Sequence, residues 1–168
     1  MNKNHSNQNR IAAVSLSANG FGYALMEGET LIDHRNKVFP TDKNANSLTQ
    51  IEKLIIRHQP DVLVLNDVNA KGTYRWPRIK ELHRSVVRLV KKRKLAVATL
   101  SGIELRILLL NDPKGTKHDL AERIAKQFPD ELALRLPPKR KLWKSEVSRM
   151  DIFDAMALAV VFCMKIKD

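Results

Sequence analysis

A chain of 168 residues with 43% hydrophobic content is long enough to bury one self-sufficient core and too apolar to be disordered. Its single cysteine, Cys163, excludes an internal disulfide and a cysteine-cluster metal site, which suits a reducing compartment. The formal charge of +12 points to an anionic partner, and no apolar run reaches the ~20 residues that cross a bilayer.

Residues 1–10 are polar and rich in Asn. They lack the apolar segment of a signal peptide and read as a disordered lead-in, which leaves residues 11–168 as a single domain and a cytoplasmic location as the expectation. Ile11 to Ser17 reads as a first strand, with a turn at Ala18-Asn19-Gly20. Phe21 to Met26 is a second strand, Glu27-Gly28-Glu29 a turn, and Thr30 to Val38 a third strand. Tight turns between successive strands predict an antiparallel meander. Ser47 with Gln50 has the spacing of a capping box, opening a helix that carries Ile51, Leu54 and Ile55 and stops at Pro60.

Asp61 to Asn66 is a near-continuous apolar run, the pattern of a strand buried on both faces. After a loop from Asp67 to Trp76, Pro77 opens a helix to about Arg93, with Ile79, Leu82, Val86 and Val90 on one stripe. Leu95 to Thr99 is a short strand. Ser101 with Glu104 is a second capping box, Asn111 to Gly115 a break, and Thr116 the cap of a helix ended by Pro129. A basic, proline-containing connection leads to a last helix from about Ser148 to Lys165. The expected fold is therefore α/β: a mixed sheet made of a three-strand antiparallel meander and two parallel strands, flanked by helices.

The positive charge is local. Residues 71–106 hold eleven Lys or Arg against Glu81 and Glu104, and residues 135–149 hold six against Glu146. The rest of the chain is slightly acidic, so the excess marks a polyanion footprint rather than a generally basic surface. Lys80, Arg84, Arg88 and Lys91 form a ridge at helical spacing, either a phosphate-binding track or a plain solvated face. Tyr74 and Trp76, between the central strand and this ridge, either stack on unpaired bases or pack the helix start.

In open α/β sheets a site forms at the carboxyl ends of the parallel strands. Those ends are Ser15/Ser17, Asn66/Asp67 and Thr99/Ser101, and the last helix adds Asp151 and Asp154 on one face. Asp154 interrupts an otherwise apolar helix, so it needs either a basic partner or a divalent cation. Asp151 is a second candidate ligand, but with Ser148 it also completes a capping box. Asp67 is a candidate acid or a turn residue. Hard ions such as Mg²⁺ or Mn²⁺ take carboxylate oxygens, and two-metal phosphodiester hydrolysis needs several of them together.

These segments resemble the RuvC-like Holliday-junction resolvases of the ribonuclease-H-like superfamily. The likeness lies in Ile11 to Ser17 with Gly22-Tyr23, in Val62 to Ala70, in Gly115 to Leu120, and in Asp151-Ile152-Phe153-Asp154-Ala155-Met156-Ala157-Leu158-Ala159. Only this last motif is specific. The resemblance implies a ribonuclease-H-like fold and a metal-dependent, structure-selective endonuclease. It places Asp151 and Asp154 at the family's closing-helix acids; with Asp67 beside them these are the candidate catalytic residues, and Asp154, Asp151 and Asn66 are the candidate metal contacts. Lys71, Arg75, Lys80, Arg84, Arg88 and Lys117 would hold nucleic acid, with DNA favoured and no membrane role. In the family the ridge helix also contributes to a homodimer, which a row of like charges opposes unless it faces outward.

The chain departs from the family pattern at two positions. Ser15 stands where the family carries an acid, and Asn66 stands where it carries a glutamate. Asp67 is one place along, on the opposite side of the strand unless a bulge intervenes. Glu104 and Asp112 are further acids that could enter the site. Three readings follow: an active endonuclease, a scaffold that binds branched or single-stranded nucleic acid without cutting, and a protein- or membrane-surface module.

Overall fold

The computed structural model describes residues 9–71 and 75–168. Most of the expected N-terminal lead-in, and Tyr74, lie outside the described residues. Three strands open the chain: β1 (Arg10–Leu16), β2 (Gly20–Glu27) and β3 (Thr30–Val38). Helix α1 (Lys43–His58) leads to β4 (Val62–Asn66), then α2 (Pro77–Lys92) and β5 (Ala96–Leu100). The chain closes with α3 (Gly102–Leu110), α4 (Lys117–Gln127), the short α5 (Pro129–Leu132) and α6 (Met150–Lys167).

The strands form one sheet in the order β3-β2-β1-β4-β5, antiparallel within the meander and parallel from β1 to β5. This is the mixed sheet that the patterning predicts. Alternation along each strand builds two cores. Ile11, Ala13, Val62 and Val64 face α3, α4 and α6, whereas Ala12, Val14, Leu63 and Leu65 face α1 and α2. β4 is sealed on both sides, which is why its sequence is apolar at every position from 62 to 65. α6 is apolar around its whole circumference because the sheet lies on one side and α3 and α4 on others. Among the described residues, no helix is long and apolar enough to cross a membrane.

Several local expectations need correction. α1 begins a turn before the Ser47–Gln50 pair, after Asp42 in the left-handed region at φ 47°. Ser47 is fully buried, because it sits on the same stripe as Ile51 and Ile55 and serves there as the small residue of an inward face. Pro129 opens α5 as well as closing α4. The Ser148–Asp151 capping box does not form: α6 starts without a side-chain cap, and the Asp151 carboxylate is engaged elsewhere. By contrast, the Ser101–Glu104 box is present, as is one between Thr116 and Asp119.

Candidate active site

One row of residues crosses the sheet beneath the start of α6. Asn36 pairs with Gly22 and Gly22 with Ser15. One step beyond the Val14–Leu65 pair, Asn66 lies level with Ser15. All four belong to the α6 side. Gly22 makes the close approach feasible, since a Cβ there would lie 1.9 Å from the Asp151 carbonyl oxygen and 2.7 Å from its Cβ. The Asn36 side-chain amide donates to the Ser148 carbonyl, tying the incoming segment to β3.

Asp151 is only 4% exposed, and its carboxylate accepts a hydrogen bond from the Ser17 hydroxyl at 2.7 Å. Burial pushes its carboxyl up to about 7; the Ser17 hydrogen bond opposes this and the nearby Asp154 charge adds to it. Asp154, one turn on, is also shifted up by burial, against the pull of the Lys117 ammonium. Lys117 Nζ lies 3.3 Å from Asp154 Oδ2 and 3.2 Å from Glu146 Oε1. Burial alone would lower the Lys117 pKa, but the two carboxylates outweigh it and hold the ammonium above its ordinary value. Glu146, Asp151 and Asp154 each offer an oxygen within 4.8 Å of the others.

These groups line a cleft of about 240 Å³, with Ser15, Ser17, Arg75 and Trp76 as further walls. Lys117 reaches it because Thr116 caps α4, accepting from Asp119 N at 3.1 Å. Arg75 has its Nε buried, and its charge acts on both Asp154 and Lys117.

Of the residues singled out from the sequence, the structure thus brings together Asp151, Asp154, Arg75 and Lys117. It does not bring in Asp67, whose carboxylate accepts from the Asn69 backbone N–H at 3.0 Å and whose charge acts on His83 of α2. Asn66 does not line the cleft either, although its Oδ1 is buried without a hydrogen-bond partner among the described residues. Lys71, in the loop after β4, is exposed; on α2, Arg84 and Arg88 are exposed and Lys80 is half-buried, off the buried stripe of Ile79, Leu82, Val86 and Val90. Glu104 is engaged in capping α3 and in pairing with Lys165, and Asp112 holds the turn before α4. The acid that enters the site is Glu146. Its sequence signal is slight: it is the one acid in the basic stretch 135–149.

No family model matches the sequence, and no curated protein does. Solved structures do. Thermus thermophilus RuvC in complex with a Holliday junction substrate matches at 12% identity and a TM-score of 0.68, over 95% of each chain. The chain has the RuvC-type, ribonuclease-H-like fold. The yeast mitochondrial Holliday junction resolvase Ydc2 matches at 15% identity and a TM-score of 0.60, over 93% of this chain and 78% of that one. The nuclease domain of the large terminase subunit gp2 of bacterial virus Sf6, solved with manganese and beta-thujaplicinol, matches at 13% and 0.54, over 93% and 87%.

Proposed function

We propose that this chain is a divalent-metal-dependent endonuclease selective for branched DNA, of Holliday-junction type. The observation that carries the proposal is the cluster of Glu146, Asp151 and Asp154 at the carboxyl end of β1, in a cleft with basic walls. The RuvC-type fold supports it.

The donor set fits one hard cation, Mg²⁺ or Mn²⁺: three carboxylates converge, and a nearby ammonium already occupies the gap between two of them. Glu146, Asp151 and Asp154 would hold the ion, which when bound supplies Lewis-acid activation of a phosphodiester. The chain's own residues do the rest. Ser17 fixes the orientation of the Asp151 carboxyl. Asp151, whose carboxyl is pushed up to about 7, would release its proton to solvent when an ion is held, and Lys117, no longer needed by Asp154 and Glu146, would become available to a phosphate. Arg75 and the Lys80, Arg84 and Arg88 ridge, with Lys71, attract the backbone. A four-way junction presents two equivalent strands, so a homodimer belongs to this proposal, with light scattering as its test.

The deciding experiment is cleavage of four-way-junction, duplex and single-stranded substrates in Mg²⁺ and in Mn²⁺, with Asp154→Asn alongside. Junction cleavage that requires the ion and disappears in Asp154→Asn is the expected result. A second reading, a binder without cleavage, is favoured by the neutral Ser15 and Asn66 in the row below α6. Junctions bound but never cut in either metal would establish it and overturn the first.

A further inference from the structure

Beside the carboxylate cleft lies a larger cavity of about 500 Å³, between the start of α4 and the strap 137–147. Pro137, Pro138, Val147 and Met150 give it apolar walls, while Lys139 and Lys144 stand among its lining residues. Lys117, Glu146 and Val147 line both spaces, so the cavity adjoins the carboxylate cluster. The strap's outer side carries Leu142, 98% exposed, and Trp143, 78% exposed. The Lys141 ammonium lies 5.6 Å from the centre of the Trp143 ring.

An indole this exposed contributes little to the core, and an adjacent exposed leucine contributes no more. Four basic residues flank the pair between positions 139 and 144, with Glu146 the only acid in the strap. Flat apolar surface interleaved with cations is complementary to an unpaired nucleic-acid strand, whose bases stack and whose phosphates need charge. A duplex offers its phosphates but keeps its base faces covered. An acidic peptide would use the cations and leave the indole idle.

We propose that the strap 137–147 is a second nucleic-acid-binding element, which takes unpaired nucleotides beside the carboxylate cleft. Trp143 is the stacking platform, Lys139, Arg140, Lys141 and Lys144 hold the phosphates, and the cavity accepts a base turned out of its stack. The inference rests on the proposed nucleic-acid function and narrows its substrate to structures with unpaired bases next to the cut site.

The test uses the full chain in EDTA, so that binding is read without cleavage. Trp76 and Trp143 are the only tryptophans, so Trp76→Phe leaves Trp143 as the sole indole reporter. A 20-nucleotide oligo(dT) should quench its fluorescence on binding, and a fully paired 20-base-pair duplex should leave it nearly unchanged. Trp143→Ala should weaken oligo(dT) binding roughly tenfold and duplex binding less than twofold, and Trp143→Phe should recover most of the loss. Equal affinity of Trp143→Ala and the parent for oligo(dT), or an unquenched indole at saturation, would overturn the inference. Cleavage of junctions together with an indifferent Trp143 would sink this inference alone. Loss of oligo(dT) binding in Trp143→Ala without any metal-dependent cleavage would sustain it while removing the nuclease reading.

Discussion

Replacing Asp151 by Asn separates the electrostatics of the carboxylate cluster from the rest of the fold. The amide keeps an oxygen for the Ser17 hydroxyl and loses only the ability to ionise. In the folded chain the carboxyl titrates near 7 against an ordinary value of 3.8, so between those two values the folded state holds a proton that the unfolded state has released. A raised carboxyl pKa therefore stabilises the fold at low pH, and that contribution is lost as pH rises through the window from about 4 to 7. One proton corresponds to about 1.4 kcal/mol per pH unit, which over this window amounts to about 4 kcal/mol. Because Asp151 is almost fully buried, solvent screening removes little of it. His34, His58 and His83 carry lowered pKa values, burial being the main cause in each. They act in the opposite sense, favouring the fold as pH rises, so the informative quantity is the difference between parent and variant. Urea denaturation in EDTA at half-unit steps from pH 4.5 to 8 measures it. Asp151→Asn should gain stability relative to the parent steadily up to about pH 7 and hold that gain above. Parallel stability profiles for the two proteins across the window would refute the reasoning. So would a relative gain that grows towards acid.

Three further outcomes follow from the same geometry. Gly22→Ala places a Cβ against backbone atoms of Asp151, which cannot give way as a flexible side chain would. It should cost about 3 kcal/mol or more, read as a lowered denaturation midpoint. Thr116→Ala removes the cap of α4 and should cost about 1 kcal/mol; it should also weaken the hold on Lys117, visible as a further upward shift of the Asp154 carboxyl by NMR titration. Lys80→Ala, Arg84→Ala and Arg88→Ala together should leave stability nearly unchanged. They should flatten the plot of log K against log[salt] for duplex DNA by about 0.9 for each phosphate that the ridge neutralises in the parent; an unchanged slope would make the ridge a plain solvated face.

Much of the fold was legible because burial is written into residue periodicity. The unbroken apolar run of β4 required helices on both faces, and the meander announced itself through its short turns. The start of α1 was not legible, because a serine three residues before a glutamine looks the same whether it caps a helix or fills a buried stripe. Within the site, Asp154 was visible as an acid in an apolar helix, and strand alternation correctly separated Asp67 from Asn66. Glu146 was not visible, because it comes from an irregular segment whose path depends on tertiary contacts such as Asn36 to Ser148. Arg78 illustrates the reverse error. Counted among the footprint charges, it is instead committed to Asn44 and to the carbonyls of the β1–β2 turn.

The neutral residues at positions 15 and 66 and the placement of Lys117 belong to one electrostatic arrangement. Two more acids in the row beneath α6 would put five carboxylates around one cleft, two of them, Asp151 and Asp154, already largely buried, and such a cluster could not stay fully ionised without cations. Here the Lys117 ammonium bridges the Glu146 and Asp154 carboxylates, and the Arg75 charge acts on Asp154 from the same side of the cleft. This arrangement would set the terms for entry of the proposed metal: an ion would have to displace the Lys117 ammonium and the Asp151 proton together, so its affinity should rise with pH up to about 7. A phosphate arriving at the cleft supplies an alternative partner for Lys117. Under the proposed function, substrate and metal would therefore favour each other's binding, because each would remove a group that opposes the other.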